Sequence, residues 1–131
     1  MRTYFALVLL GVGLMGLIGV VARAEVGKTT TINGVLIDNM CGGRMMTKDD
    51  PQAAAAEHPK SCAVKEACAA SGYAVISGKR LLRFDYNGNK LAKEYLAKAE
   101  TTTVVAVEGT EQADGGLAVT AINAAPALAA K

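Results

Sequence analysis

Every cysteine of this chain and its only histidine fall within one segment, from Cys41 to Cys68. Between them stands His58, four residues before Cys62. Three of the five methionines flank the first cysteine in "DNMCGGRMM", as Met40, Met45 and Met46. These side chains can do two kinds of chemistry. Thiols of an exported protein tend to pair as disulfides, which supplement a thin core. Alternatively Cys41, His58, Cys62 and Cys68 form a Cys3His set suited to tetrahedral Zn2+, and added thioether sulfur from the methionines tilts such a set toward Cu(I). No C-x-x-C is present, so neither a thioredoxin-type redox motif nor c-type haem attachment is indicated.

The elements that must carry these residues can be read on either side. "KTTTINGVLID", Lys28 to Asp38, is β-branched and reads as a strand, with Gly34 suggesting a bulge or bend. From Asn39 to Gly72 the strand pattern is lost. Pro51 behind Asp49 and Asp50 is placed to open a helix that Pro59 ends. A second helix is expected from Ser61 to Gly72, with Val64, Ala67, Cys68 and Ser71 on its inner side and Cys62 facing out with Lys65 and Glu66. "YAVIS" and "RLLRFDY" form a hairpin around Gly78-Lys79, with Leu82, Phe84 and Tyr86 on one face. "NGN", Asn87 to Asn89, breaks the chain before a helix in "KLAKEYLAKAE" with its stripe of Leu91, Tyr95, Leu96 and Ala99. "TTTVVAVEGT" and "GLAVTAIN" supply two last strands, with Val104, Val105, Val107, Val119 and Ile122 as barrel positions.

Strand, helical insert, two strands, helix, two strands is the order of an OB-type barrel. The fold expected is thus mainly β (α+β): a small five-stranded OB-like barrel, with a Cys-containing helical insert over 39–72 between strands 1 and 2. On a single helix, Cys62 and Cys68 would stand about 9 Å apart along the axis, beyond the reach of a disulfide. Cys41 is then the shared half, paired with Cys68 or, as the less favoured alternative, with Cys62. Closing the loop to Cys68 would contribute about 3–4 kcal/mol in the chain-entropy picture. The leftover Cys62, at a helix start near Lys60 and Lys65, has surroundings that favour a reactive thiol.

Composition places the chain in a compartment. Arg2 precedes an apolar run from Tyr4 to Ala22 that ends in Ala22-Arg23-Ala24. That order reads as a signal peptide, residues 1–24, cut between Ala24 and Glu25. Without it the chain keeps 107 residues, with 12 basic and 12 acidic side chains, because Arg2 and Arg23 carry the whole excess charge of +2. A neutral domain has no electrostatic footprint for nucleic acid. The reading is a periplasmic or secreted bacterial protein with a single domain over 25–125 and a loose tail over 126–131. It would be monomeric, without a stable membrane span after cleavage.

Gly34, Asp38, Cys41 and Gly42 spell a Gly-x-x-x-Asp-x-x-Cys-Gly stretch, followed by "GYAVISGKRLLRF" and "VVAVEGTEQADGGLAVTAI". In these features the chain resembles a group of small exported bacterial proteins that carry no assigned activity. The resemblance implies a compartment and a fold more than a role. The chain departs from that group in placing Arg44, Met45 and Met46 where a histidine often follows the first cysteine.

Other motifs fail on inspection. "DYNGNK" starts like a calcium loop, but Lys90 and Leu96 stand where Gly and Glu are required, which leaves it a turn. No nucleophile–base arrangement is visible, so no enzyme is indicated. The function expected is an exported binding or interaction module for an unknown ligand or protein partner, with a disulfide-stapled insert and no cofactor. The alternative is a periplasmic metal-binding protein holding Zn or Cu through Cys41, His58, Cys62 and Cys68. Intact-mass analysis of the exported protein should find Glu25 as the first residue; a full-length chain in the membrane fraction would overturn the leader assignment.

Overall fold

The computed structural model describes residues 27–127. The leader, the Ala24–Glu25 junction and the last four residues of the tail lie outside them. Five strands form one antiparallel sheet: β1 Thr30–Asp38, β2 Tyr73–Ser77, β3 Arg80–Arg83, β4 Val104–Glu111 and β5 Leu117–Ala124. Their order is β3-β2-β1-β4-β5. The sheet is open. Its outer strands meet at a single parallel bridge, Phe84 to Leu117, beside which the Asp85 amide donates to the Leu117 carbonyl at 3.0 Å.

β1 is the central strand, and it serves two partners in turn. Thr30 to Val35 pair with β4, and Val35 to Asp38 pair with β2. Gly34 stands at this change of partner. The position allows no side chain, because a Cβ there would run into the Ile76 carbonyl and the Val75 side chain. The expected bulge lies elsewhere, at Glu108/Gly109 in the β4–β5 ladder. The β2–β3 hairpin closes as expected over Gly78-Lys79, with Ser77 opposite Arg80 and Gly78 at φ +60°.

From Gly34 onward β1 is buried at every position, because both faces of the sheet are covered there. Leu36, Val75, Leu82, Phe84, Val105, Val107, Leu117 and Val119 pack on one face with Ala92, Tyr95 and Leu96. The last three belong to helix α5, Tyr86–Leu96. On the other face Val35, Ile37 and Ile76 pack with Cys41, Ala55 and Cys68 of the insert. Each fully buried Val, Leu or Ile contributes about 1.5–3 kcal/mol, so both faces offer the chain substantial burial. Of the expected barrel positions, Val105, Val107 and Val119 are buried, and Val104 and Ile122 are half-buried.

Three expectations near α5 are corrected. Tyr86 is not a strand residue beside Leu82 and Phe84; it is 89% exposed. The strand stops at Arg83, and the Asp85 carboxylate accepts the Gly88 amide at 2.8 Å, capping a helix that starts four residues before Lys90. Nor do Asn87 to Asn89 break the chain. Asn87 Nδ2 donates to the Val119 carbonyl and Asn89 Oδ1 accepts the Tyr73 amide, so both side chains serve sheet groups from within the helix. Ala99 lies past the helix and is exposed.

The insert holds four short helices: α1 Asn39–Met45, α2 Pro51–Ala56, α3 Lys60–Ala63 and α4 Glu66–Ala70. α2 follows the expectation, with Pro51 first and Asp50 accepting the Ala53 amide at 3.0 Å. The single helix expected over Ser61–Gly72 is two helices. Lys65 is extended, at φ −62° and ψ 143°, and turns the chain between them. This turn leaves Val64 48% exposed and Ala67 exposed, while Ala63 and Cys68 face inward. Gly42 and Gly43 are both helical.

Gly34→Ala should destabilise by at least about 1–3 kcal/mol, the cost of overpacking a filled site. Gly43→Ala, with open space around its Cβ and a helical backbone, should instead stabilise by up to about 1 kcal/mol. Paired denaturant melts check both signs; two equal effects would contradict this packing.

Candidate metal centre

The site is built where β1 runs into α1. Asp38 ends the strand with no exposed surface. Its Oδ1 accepts the Cys41 amide at 2.9 Å, which caps α1 and sets Cys41 on its first turn. The start of α1 is then tied to the end of α4. The Asn39 amide donates to the Gly72 carbonyl at 2.9 Å, and Asn39 Nδ2 donates to the Ser71 carbonyl at 2.8 Å. The Met40 amide donates to Ser71 Oγ at 3.2 Å, and that hydroxyl donates to the Cys68 carbonyl at 2.6 Å. These bonds draw Cys41 and Cys68 together across the sequence.

Cys62 arrives on α3, which is anchored on both sides of it. Tyr73 Oη donates to the Ala63 carbonyl at 3.1 Å. Lys60 Nζ is held by the Lys98 and Thr101 carbonyls and by Thr101 Oγ1. The Lys60 ammonium is therefore committed to the segment after α5. His58 follows α2, its amide donating to the Ala55 carbonyl at 3.0 Å.

The result is a convergence of donors. The sulfurs of Cys41, Cys62 and Cys68 lie within 4.8 Å of one another, and so do the donor atoms of Asp38, Cys41 and His58. Cys41 belongs to both groups. Cys41 and Cys68 are buried, while Cys62 and His58 are half-buried. No disulfide is formed among the described residues. A disulfide needs sulfurs about 2.05 Å apart, whereas thiolates about 2.3 Å from a tetrahedral ion stand roughly 3.8 Å from each other. The sulfurs thus stand short of a covalent bond, and the donor types gathered here, thiol and imidazole with a carboxylate close by, are among those Zn2+ takes. Met45 and Met46 pack against the core that contains Cys41 and Cys68, while Met40 turns outward.

The structure brings the three cysteines into one group and sets His58 beside Cys41 and Asp38 in a second, with Cys41 shared between them. It also removes the geometric reason for keeping Cys62 and Cys68 apart, since they ride on separate helices. Asp38 joins the cluster, a residue that the sequence placed at the end of a strand and in the Gly-x-x-x-Asp-x-x-Cys-Gly stretch but not among the candidate ligands. Its spacing of three residues before Cys41 is the cap spacing that could have revealed it. Burial, and then the adjacent Asp38 charge, push the Cys41 thiol up to about 11. One Asp38 oxygen, Oδ2, is buried without a hydrogen-bond partner. Comparisons of the chain with protein-family models, curated proteins and solved structures return no match. No helix among the described residues is long and apolar enough to cross a membrane.

In metal-free, reduced protein at pH 8, limiting iodoacetamide should label Cys62 first and Cys41 much more slowly, as peptide mapping would read. Raising the pH toward 11 should speed Cys41, because its thiolate appears only as pH approaches its raised value. Fast labelling of Cys41 at pH 8 would contradict the buried, charge-disfavoured thiol.

Proposed function

We propose that this protein is an exported metal-binding module that holds one thiophilic ion through Cys41, Cys62, Cys68 and His58. The observation that carries this reading is the convergence of three unbonded cysteine sulfurs, from three separate helices, within 4.8 Å. Three buried or half-buried thiols with a histidine and a carboxylate beside them make a poor apolar core and a good ligand set. The role is binding rather than catalysis: Asp38, Cys41 and Cys68 are buried, which leaves little open face for a substrate. The helices of the insert are only four to seven residues long, and a shared ion would join them where their own burial is small.

The domain that carries the site is read as OB-like. Supporting this are the strand order, the helix between β3 and β4, and the parallel bridge from Phe84 to Leu117 that brings the outer strands to one another. The periplasm or the cell exterior is the proposed compartment, on the signal-peptide pattern of residues 1–24.

A second reading keeps the staple. Cys41 and Cys68 are both buried and sit on helix ends already tied through Asn39, Ser71 and Gly72, so a modest shift would let them bond and leave Cys62 as a free thiol. The two readings separate in one measurement. Metal-free mature protein, denatured without reductant, should show three free thiols if the sulfurs serve a metal, and one if they serve a staple.

Zn2+ or Cu(I) should bind the reduced native protein at one ion per chain. At a hundredfold excess over Kd, binding adds about 2.7 kcal/mol of stability, on the order of 10 °C or more in Tm for a domain this size. Cys41→Ser, Cys62→Ser and Cys68→Ser should each abolish most of that shift. If Cys62→Ser left it intact, or if wild type bound neither ion, the metal reading would fail.

A further inference from the structure

We infer that Asp38 is a positioning residue of this centre, holding both Cys41 and His58, and that it favours a divalent ion of the zinc type over monovalent copper. The inference rests on the metal reading above and specifies its ion class.

Asp38 is completely buried, yet half of its carboxylate is unused. Oδ1 is engaged by the Cys41 amide. Oδ2 has no hydrogen-bond partner. A buried carboxylate is costly unless a cation or donors satisfy it. The Asp38 donor lies within 4.8 Å of both Cys41 Sγ and a ring nitrogen of His58. The only histidine in the chain is thus close to a carboxylate, one oxygen of which lacks a donor. Metal-bound histidines commonly give their second ring N–H to such a carboxylate, which fixes the tautomer and raises the basicity of the ligating nitrogen. In the loaded centre Oδ2 would accept the His58 ring N–H, leaving the other ring nitrogen for the ion.

The same carboxylate bears on the choice of ion. Three thiolates with a buried Asp38 bring four negative charges to one place, and a divalent cation offsets more of them than a monovalent one. Zn2+ completes a tetrahedron with imidazole nitrogen, whereas Cu(I) is satisfied by soft sulfur and has less need of an oriented histidine. Met45 and Met46 pack nearby, so sulfur for a copper site is at hand, and it is Asp38 that tilts the balance.

The test uses Asp38→Asn in the reduced mature protein. Asparagine is an equally good helix cap, so Oδ1 can still accept the Cys41 amide, while the amide nitrogen cannot accept from His58. Zn2+ affinity, measured by chelator competition, should fall 10- to 100-fold. Cu(I) affinity, measured by competition with a chromogenic ligand, should fall by a much smaller factor. Zn2+ affinity equal to wild type, or equal losses for both ions, would overturn the role of Asp38. Wild type that bound neither ion would instead overturn the metal reading itself. Should the variant not fold, Asp38→Ser, which also caps a helix but offers a single oxygen, takes its place in the same two competitions, with the same losses expected. X-ray absorption of zinc-loaded wild type should show an imidazole by its multiple scattering; zinc bound without one would overturn the positioning of His58.

Discussion

The last half of β1 is buried on both of its faces, and the rest of the molecule follows from that constraint. Val35 and Ile37 point toward the insert while Leu36 points toward α5. A strand so placed cannot sit at an edge or face water, so it becomes the centre of the sheet. It pairs with β4 through Val35 and with β2 from Val35 onward. Gly34 makes the hand-over possible by letting the Ile76 carbonyl approach its backbone. Two cores then exist, one under α5 and one under the insert, and the smaller of them contains two of the three cysteines.

The insert is a set of short helices that could not stand alone. Isolated helices of this length are unstable in water, so their positions come from bonds at their ends. Asp38 caps α1, Asn39 and Ser71 fasten α1 to the end of α4, and Tyr73 and Lys60 hold α3. Each of these groups satisfies a backbone donor or acceptor that would otherwise be exposed or orphaned. The convergence of the sulfurs is a consequence of this end-to-end fastening. Asp38 is central in both respects, because the residue that starts α1 is also the one whose remaining oxygen has no donor.

Much of the fold was legible in local pattern. The β-branched run before Asp38, the Gly78-Lys79 hairpin, the capped start at Pro51 and the valines of β4 and β5 all rest on periodicity or turn chemistry within a few residues, and each is where it was read. The errors share a cause. Asn87, Gly88 and Asn89 look like a break, but their side chains bond to Val119 and Tyr73, which are distant in sequence. Ser61 to Gly72 looks like one helix, but the chain turns at Lys65, which leaves Val64 and Ala67 exposed. Propensity was outweighed by contacts that no window of ten residues contains.

What the sequence by itself determined is the inventory: three thiols and one imidazole confined to a single insert, an apolar run near the N-terminus with balanced charge after it, and a strand pattern able to make one small sheet. The number of candidate donors was readable because composition needs no coordinates. The tertiary structure decided which of them meet. Cys62 and Cys68 were kept apart by the geometry of a straight helix and brought together by the turn between α3 and α4. Asp38 entered the site because its cap bond turns α1 back against β1. Donor convergence within a few ångströms depends on backbone hydrogen bonds between segments some thirty residues apart, such as that from Asn39 to Gly72, and such bonds leave no mark on the local sequence.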